Sequence, residues 1–276
     1  MPQESAEPRT WFITGASRGL GRAFTEAALA AGDQVVGVAR DVTPLRDLVA
    51  KADGRLVVFP LDVSDRSAVM AGVERTHAAF GRLDVVVNNA GGVILGMIEE
   101  ITEEQARAHL DTNFFGAMWV SQAVIPFLRA QGSGHILQVS SMGSAGGFAA
   151  TGVYGAGKAA LDAMSEALAM EVERFGIKVT ILQPGGYETG LFTQGLTMPE
   201  ENPAYASLRA WLNELWTESQ DFDPALAAAV VTQVVDLTEP PKRVVLGGAA
   251  YDMVQQLGQA RTAELVKWEH LSRQAG

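Results

Sequence analysis

The sequence has no cysteine among its 276 residues. That absence excludes disulfides, thiolate nucleophiles and cysteine-ligated zinc. Histidine is scarce, and His77, His109, His135 and His270 show no metal-ligand spacing. No metal site is expected, and each histidine reads as a surface or helix-face residue. Positive charge is also short, with 21 Lys and Arg against 32 Asp and Glu and a net charge of −11. Such a balance argues against nucleic acid or an anionic membrane as partner. An anionic ligand would need local basic groups. Long hydrophobic runs are missing too. The nearest, "FFGAMWVSQAVIPFL", is broken by Ser121, Gln122 and Pro126, so no membrane span is expected. The first ten residues, "MPQESAEPRT", lack both a basic and an apolar region of the secretory kind. A soluble cytoplasmic protein is the expectation. No internal repeat or low-complexity segment is visible.

What remains is 47% hydrophobic and 19% charged, ordinary for a well-packed enzyme. Short β-branched runs stand at 11–14, 34–39, 55–59, 83–88, 135–140, 177–183 and 243–247. They are continuous rather than alternating, as strands buried on both faces are. Helix-like stretches separate them, at about 20–31, 44–52, 65–80, 102–130, 152–175 and 224–237. This alternation predicts right-handed βαβ units: one α/β domain with a doubly wound, seven-stranded parallel sheet and helices on both faces. Two segments depart from the repeat. Residues 185–223 form a long insertion, read as a lid over a ligand. Residues 249–273 read as an amphipathic C-terminal helix, with Leu257, Leu265 and Trp268 as core contacts.

The stretch "TGASRGLG", 14–21, follows the first strand and opens a helix. Gly15 permits a tight turn, Gly19 a close approach to a pyrophosphate, and Gly21 close helix packing. The helix N-terminus offers free N–H groups to the phosphates of a dinucleotide. NAD binders usually carry an acid after the second strand, to hold the ribose 2′-hydroxyl. Here Ala39 takes that place and Arg40 follows. With Arg18 in the glycine loop, two guanidiniums would suit a 2′-phosphate, which favours NADP(H) and leaves NAD(H) possible. Asp41 could instead face the ribose. Asp62 either accepts from the adenine amino group or caps locally with Ser64.

In "VYGAGKAALDAM", 153–164, Tyr154 and Lys158 share a helix face one turn apart. A free tyrosine titrates near ~10, too high for proton transfer at neutral pH. A neighbouring ammonium favours the phenolate and lowers that value. Ser141 ends the fifth long strand at the carboxyl edge, where its hydroxyl could donate to a carbonyl gaining negative charge. Asn113 lies in the preceding helix.

Taken in order, "TGASRGLG", "NNAG" at 88–91, Asn113, Ser141, the Tyr-x-x-x-Lys of Tyr154 and Lys158, and "PGGYET" at 184–189 resemble the short-chain dehydrogenase/reductase family over about 10–247. The resemblance implies a Rossmann-like fold. It implies Tyr154 as general acid–base, with Lys158 lowering its pKa and holding the nicotinamide ribose. Ser141 would polarise the substrate carbonyl, and Asn113 would fix a relay water. Asn88, Ala90 and Gly91 would line the adenosine side. Thr189 and the main chain near Gly186 would hold the carboxamide. Further cofactor contacts are implied at Ser17, Leu20, Val63, Asn89, Pro184 and Gly185. Gly155 and Gly157 depart from the family's small side chains, and they would let cofactor or a neighbouring helix come close. Tyr187 replaces a smaller aliphatic residue and would intrude on the substrate pocket.

Phe148, Tyr187, Phe192 and Trp211 suggest an apolar substrate pocket, with Trp216 beside them. The tryptophans could equally anchor the lid. The expected activity is NADPH-dependent reduction of a ketone on a medium-sized apolar molecule. An NAD-linked alcohol or hydroxysteroid dehydrogenase and a catalytically silent dinucleotide-sensing scaffold are the alternatives. A homodimer is expected through the helices at about 102–130 and 152–175, where Ala159, Ala160, Ala163 and Ala167 are small; a tetramer is possible.

Overall fold

Seven strands lie in one parallel sheet: β1 (Thr10–Thr14), β2 (Gln34–Ala39), β3 (Leu56–Pro60), β4 (Val85–Asn88), β6 (Gly134–Val139), β7 (Ile177–Pro184) and β9 (Arg243–Leu246). A computed structural model of the chain describes residues 7–217 and 221–276. The spatial order is β3-β2-β1-β4-β6-β7-β9. The chain winds outward from β1 to β3, then crosses back to build the other half from β4. The carboxyl ends of β1 and β4 therefore face a crevice at the point of reversal, where ligands of such sheets bind.

The continuous apolar runs serve two layers at once, because alternate residues of a strand point to opposite faces. From β1, Trp11 and Ile13 join a cluster with Phe24 and Ala28 of α1 (Gly19–Ala30) and Ala227 and Val231 of α8 (Pro224–Asp236). Phe12 points the other way. It joins Val69 and Val73 of α3 (Arg66–Phe80), Val120 and Val124 of α5 (Gly116–Gln131), and Leu168 and Val172 of α6 (Gly152–Val172). Helix α2 (Arg46–Lys51) follows a single 3₁₀ turn at Thr43–Leu45.

Three departures from the sequence reading bear on function. The stretch expected as one helix over 102–130 is α4 (Glu103–Leu110), a π turn (Asp111–Phe115) and α5. A two-residue parallel pair, β5 (Val93–Ile94) with β8 (Leu196–Thr197), ties the loop after β4 to the long insertion. That insertion also holds α7 (Ala206–Thr217), whose Leu212 is buried. The C-terminal segment is helical as α9 (Gly248–Lys267) and α10 (Glu269–Arg273), but the expected core contacts fail there. Leu265 is 72% exposed and Trp268 42%, while Arg261, in the later half of α9, reaches the body at the Ala145 carbonyl. Leu257 does pack, against Gly147.

Below the sheet, opposite the crevice, buried Asp33 gathers the start of β1. Its carboxylate accepts from the Arg9 amide at 3.0 Å, from Arg9 Nε at 3.1 Å and from Trp11 Nε1 at 2.8 Å. Asp33→Ala strands a buried indole N–H and is expected to cost about 2–4 kcal/mol. Urea denaturation checks it, and a loss below ~0.5 kcal/mol would contradict the assignment.

Candidate active site

The crevice is framed by main chain. Gly15 has a φ of 64°, a left-handed turn that frees the chain to run into α1. A Cβ on Gly21 would lie 2.2 Å from the Gly15 carbonyl oxygen and 2.5 Å from Asn89 Nδ2, so α1 seats against β4 only with glycine there. The Asn89 amide donates to the Thr14 and Gly15 carbonyls at 2.9 and 3.2 Å. Thr14 Oγ1 accepts from the amides of Asn89 and Ala90, both at 3.0 Å. Arg18 is the N-cap of α1 and contributes no side-chain cap. The helix therefore begins with uncapped N–H groups and no acid in its first turn, the donor set that suits a pyrophosphate. Gly19 lies against Thr189, 2.7 Å from its Cβ were a methyl added. Leu20 packs into the core, Ser17 is half-buried, and Pro184 ends β7. Gly185 seats against Ala250, and the Gly186 carbonyl accepts from the Phe222 amide at 3.2 Å.

Around the end of β2 the charges sort themselves. Ala39 is nearly buried and Arg40 is exposed. Asp41 Oδ1 accepts from the Thr43 amide at 2.8 Å, and that bond holds its carboxyl below the ordinary range. Asp62 takes the local role, accepting from the amide and hydroxyl of Ser64 at 3.0 and 2.8 Å. The cap of α3 is Asp65. Val63 is buried against Gly116. Arg18 Nη1 donates to Gln194 of the insertion at 2.6 Å.

Ser141, Tyr154, Lys158 and Asn113 come together at the carboxyl ends of β4 and β6. The chain leaves β6 at Val139, and its carbonyl accepts from Lys158 Nζ at 2.9 Å. Ser141 Oγ accepts from the Gly143 amide at 3.0 Å, and Gly143 lies against both that oxygen and the Tyr154 ring. The serine hydroxyl favours the phenolate and pulls the Tyr154 pKa down, but burial outweighs it, so the value lies above the ordinary one, although the residue as a whole is half-buried. The ammonium is spent on the Val139 carbonyl, and desolvation governs the tyrosine. Burial also lowers Lys158, to about 8, while Asp162 pulls it back up.

The π turn has a purpose at this point. It sets Asn113, 2% exposed, with Oδ1 accepting from the Gly92 amide at 3.3 Å and Nδ2 donating to the His109 carbonyl at 3.0 Å. A Cβ on Gly91 would lie 2.7 Å from Asn113 Oδ1 and 3.6 Å from Lys158 Nζ, so Gly91 stands between them. Single π turns occur often at functional sites, because they turn one side chain out of helical register. Gly155 and Gly157 are explained by neighbours on the protein side. A Cβ at Gly155 would lie 3.0 Å from the Gly143 carbonyl, and one at Gly157 3.3 Å from His109 Nε2.

His109 overturns its reading as a surface or helix-face residue, and so does His135. Both are buried. His109 meets the Tyr154 ring edge-on at 5.8 Å, and its Nδ1 is 3.2 Å from Asn113 Nδ2. The i,i+4 spacing from His109 to Asn113 was the available signal. Phe148 lines a cavity of about 420 Å³ with Met97, Ile98, Glu99 and Tyr205. Tyr187 does not share it. That ring is 7% exposed, sits in the core on the α1–α8 face and tilts against Phe222 at 6.5 Å. Phe192 and Trp211 are 52% and 53% exposed, outside that cavity.

Burial holds His109 and His135 each down to about 4, with Lys158 and Lys178 as the lesser causes and the Tyr154 main chain opposing at His109. A histidine depressed on folding binds its proton more readily in the unfolded chain. Its contribution is therefore whole above the ordinary value near 6.5 and drains away as pH falls toward about 4. The urea midpoint is expected to fall steadily from pH 6.5 to 5, and His135→Gln to flatten the slope. A flat wild-type profile in that window would contradict it.

Comparison with known proteins adds ancestry to this geometry. Residues 9–199 match the family model described as short chain dehydrogenase. The oxidoreductase BOA17 of Botryotinia fuckeliana is 39% identical, over 96% of this chain and 98% of its own. The 3-ketodihydrosphingosine reductase of Bacteroides thetaiotaomicron is 35% identical, over 87% and 88%. The crystal structure of a short-chain dehydrogenase from Streptomyces avermitilis superposes with a TM-score of 0.91 at 41% identity, covering 98% of this chain and 99% of that one. A family match through the crevice and both halves of the sheet, joined to relatives of nearly full length, means that this chain belongs to the short-chain dehydrogenase/reductase family of oxidoreductases.

Proposed function

We propose that the protein transfers hydride between NADP(H) and the carbonyl or alcohol carbon of a medium-sized apolar molecule, working as a ketone reductase. One observation carries this reading: Ser141 and Tyr154 meet across Gly143 beside a buried Lys158, at the mouth of a glycine-framed crevice. The bound nicotinamide supplies the hydride. Tyr154 donates the proton to the carbonyl oxygen, and Ser141 steadies that oxygen as its negative charge grows. Asn113 and Lys158 hold the proton path behind the tyrosine.

The cofactor preference rests on the end of β2. Asp41 accepts from the Thr43 amide, while exposed Arg40 stands at the end of β2 and Arg18 in the glycine loop. A guanidinium pair suits a 2′-phosphate better than a 2′-hydroxyl. The cavity beside Phe148 supports an apolar substrate, and one relative is named a 3-ketodihydrosphingosine reductase. The protein works in the cytoplasm as a homodimer through α5 and α6, where Ala159, Ala163 and Ala167 are exposed beside Met170, itself 75% exposed.

The test is a panel of aliphatic and aromatic ketones assayed with NADPH and with NADH. Turnover favouring NADPH, lost by ~10²-fold or more in Tyr154→Phe while NADPH binding persists, is the expected result. Unchanged turnover in Tyr154→Phe would overturn the mechanism. Arg40→Ala should raise KM for NADPH by about tenfold with little change for NADH, since a charge-assisted pair of ~1.5 kcal/mol is lost. Equal use of both cofactors by the wild type would overturn the preference.

A further inference from the structure

We propose that Asp162 is a positioning residue for the Ser141–Tyr154–Lys158 centre, fixing both the loop that carries Ser141 and the charge on Lys158. The proposal rests on the reading of that centre given above.

Asp162 lies one turn beyond Lys158 on α6 and is 8% exposed. Its Oδ2 gathers three donors: Ser144 Oγ at 2.8 Å, Gln183 Nε2 at 2.9 Å and Arg243 Nη1 at 2.6 Å. Those donors come from the loop after β6, from β7 and from β9, so one carboxylate clamps three segments behind the site. Ser144 Oγ also lies 2.8 Å from the Ser141 carbonyl and accepts from Gln183 at 2.7 Å. A hydroxyl has one proton. With two acceptors in reach, it can serve only one of them at a time. An ionised Asp162 is the stronger acceptor, so its charge decides how the Ser141 loop is held.

The second effect is electrostatic. Lys158 is buried, and Asp162 is the nearby charge that favours its protonated form. The other groups facing this cluster are Tyr154 on α6, His109 on α4, Arg243 on β9 and Glu166, which shares Arg243 at 2.7 Å. His109 is held neutral and the Glu166 side chain lies largely in water, so neither substitutes for Asp162.

Three variants of the full chain test this, assayed with NADPH and the best ketone of the panel across pH. Asp162→Asn keeps the shape and removes the charge. It is expected to lower kcat about tenfold and to move the alkaline limb of the profile to lower pH by about one pH unit, since Lys158 then loses its proton sooner. Arg243→Gln removes a competing cation and should move the limb to higher pH. Ser144→Ala cuts the loop tie without touching charge, so kcat should fall with the limb unmoved. A merely structural role would lower melting temperature and activity alike and move no limb. Asp162→Asn with wild-type kcat and an unmoved limb overturns the proposal. If that variant does not fold, Arg243→Gln decides it, and an unmoved limb overturns it there. Tyr154→Phe run alongside separates the two readings: full turnover in that variant sinks the catalytic assignment itself. Should no ketone turn over, the pH dependence of NADPH binding, read by fluorescence, reports the same limb.

Discussion

An ammonium inside a protein must be held, or it gives up its proton. Lys158 is that group here, 5% exposed with Nζ on the Val139 carbonyl at 2.9 Å. Much of the surrounding structure answers to it. Strand β6 stops at Val139, so the last carbonyl points into the site rather than onward along the sheet. Asp162 follows one turn later with the opposite charge. His109, four residues before Asn113, lies close enough for the lysine to help keep it neutral. A protonated His109 beside Lys158 would put two buried cations together, so the pair holds one proton charge between them at neutral pH.

Close approach is the second constraint, and it follows from the first. Lys158 reaches Val139 only if α6 lies tight against the loop after β6. Gly155 meets the Gly143 carbonyl there, and Gly157 meets His109 on the other side. Alanine at either position would gain roughly 1 kcal/mol of helix propensity, yet its methyl would meet atoms at 3.0 and 3.3 Å. The methyl clash weighs against that gain, because the neighbours are main chain and a packed ring rather than flexible tips. Two glycines in one helix therefore fix the spacing of the tyrosine and lysine rather than loosening it.

The sequence reveals what the backbone itself encodes. The β-branched runs locate the strands because both faces of the sheet are covered, and the glycine loop declares itself because no other residue type fits at Gly21. The π turn stays hidden, since "DTNFF" contains nothing a regular helix would refuse. The β5–β8 pair is two residues long on each side, too short for a periodic signal. At the C-terminus the spacing of Leu257, Leu265 and Trp268 shows a helix face but not what covers it. Of these three, only Leu257 meets the body. Tyr187 misleads for a related reason. An aromatic after a ligand-facing strand end looks like a pocket wall, whereas here it fills the core against Phe222.

The insertion after β7 raises one point against the cofactor reading, and magnitudes answer it. Arg18, a proposed phosphate partner, is bonded to Gln194 at 2.6 Å. That bond is exposed and joins a cation to a neutral amide, a contact of about 1 kcal/mol at most in water. A phosphate offers the same guanidinium an anionic acceptor with several oxygens, which a neutral amide oxygen does not. The Gln194 bond is therefore a weak competitor to the proposed phosphate contact. Gln194 lies two residues from β8, which pairs with β5 beside the loop lining the Phe148 cavity. Thr189, in the same segment, rests on Gly19. One short stretch of chain thus touches the glycine loop at one end and pairs with β5, beside the loop lining the Phe148 cavity, at the other.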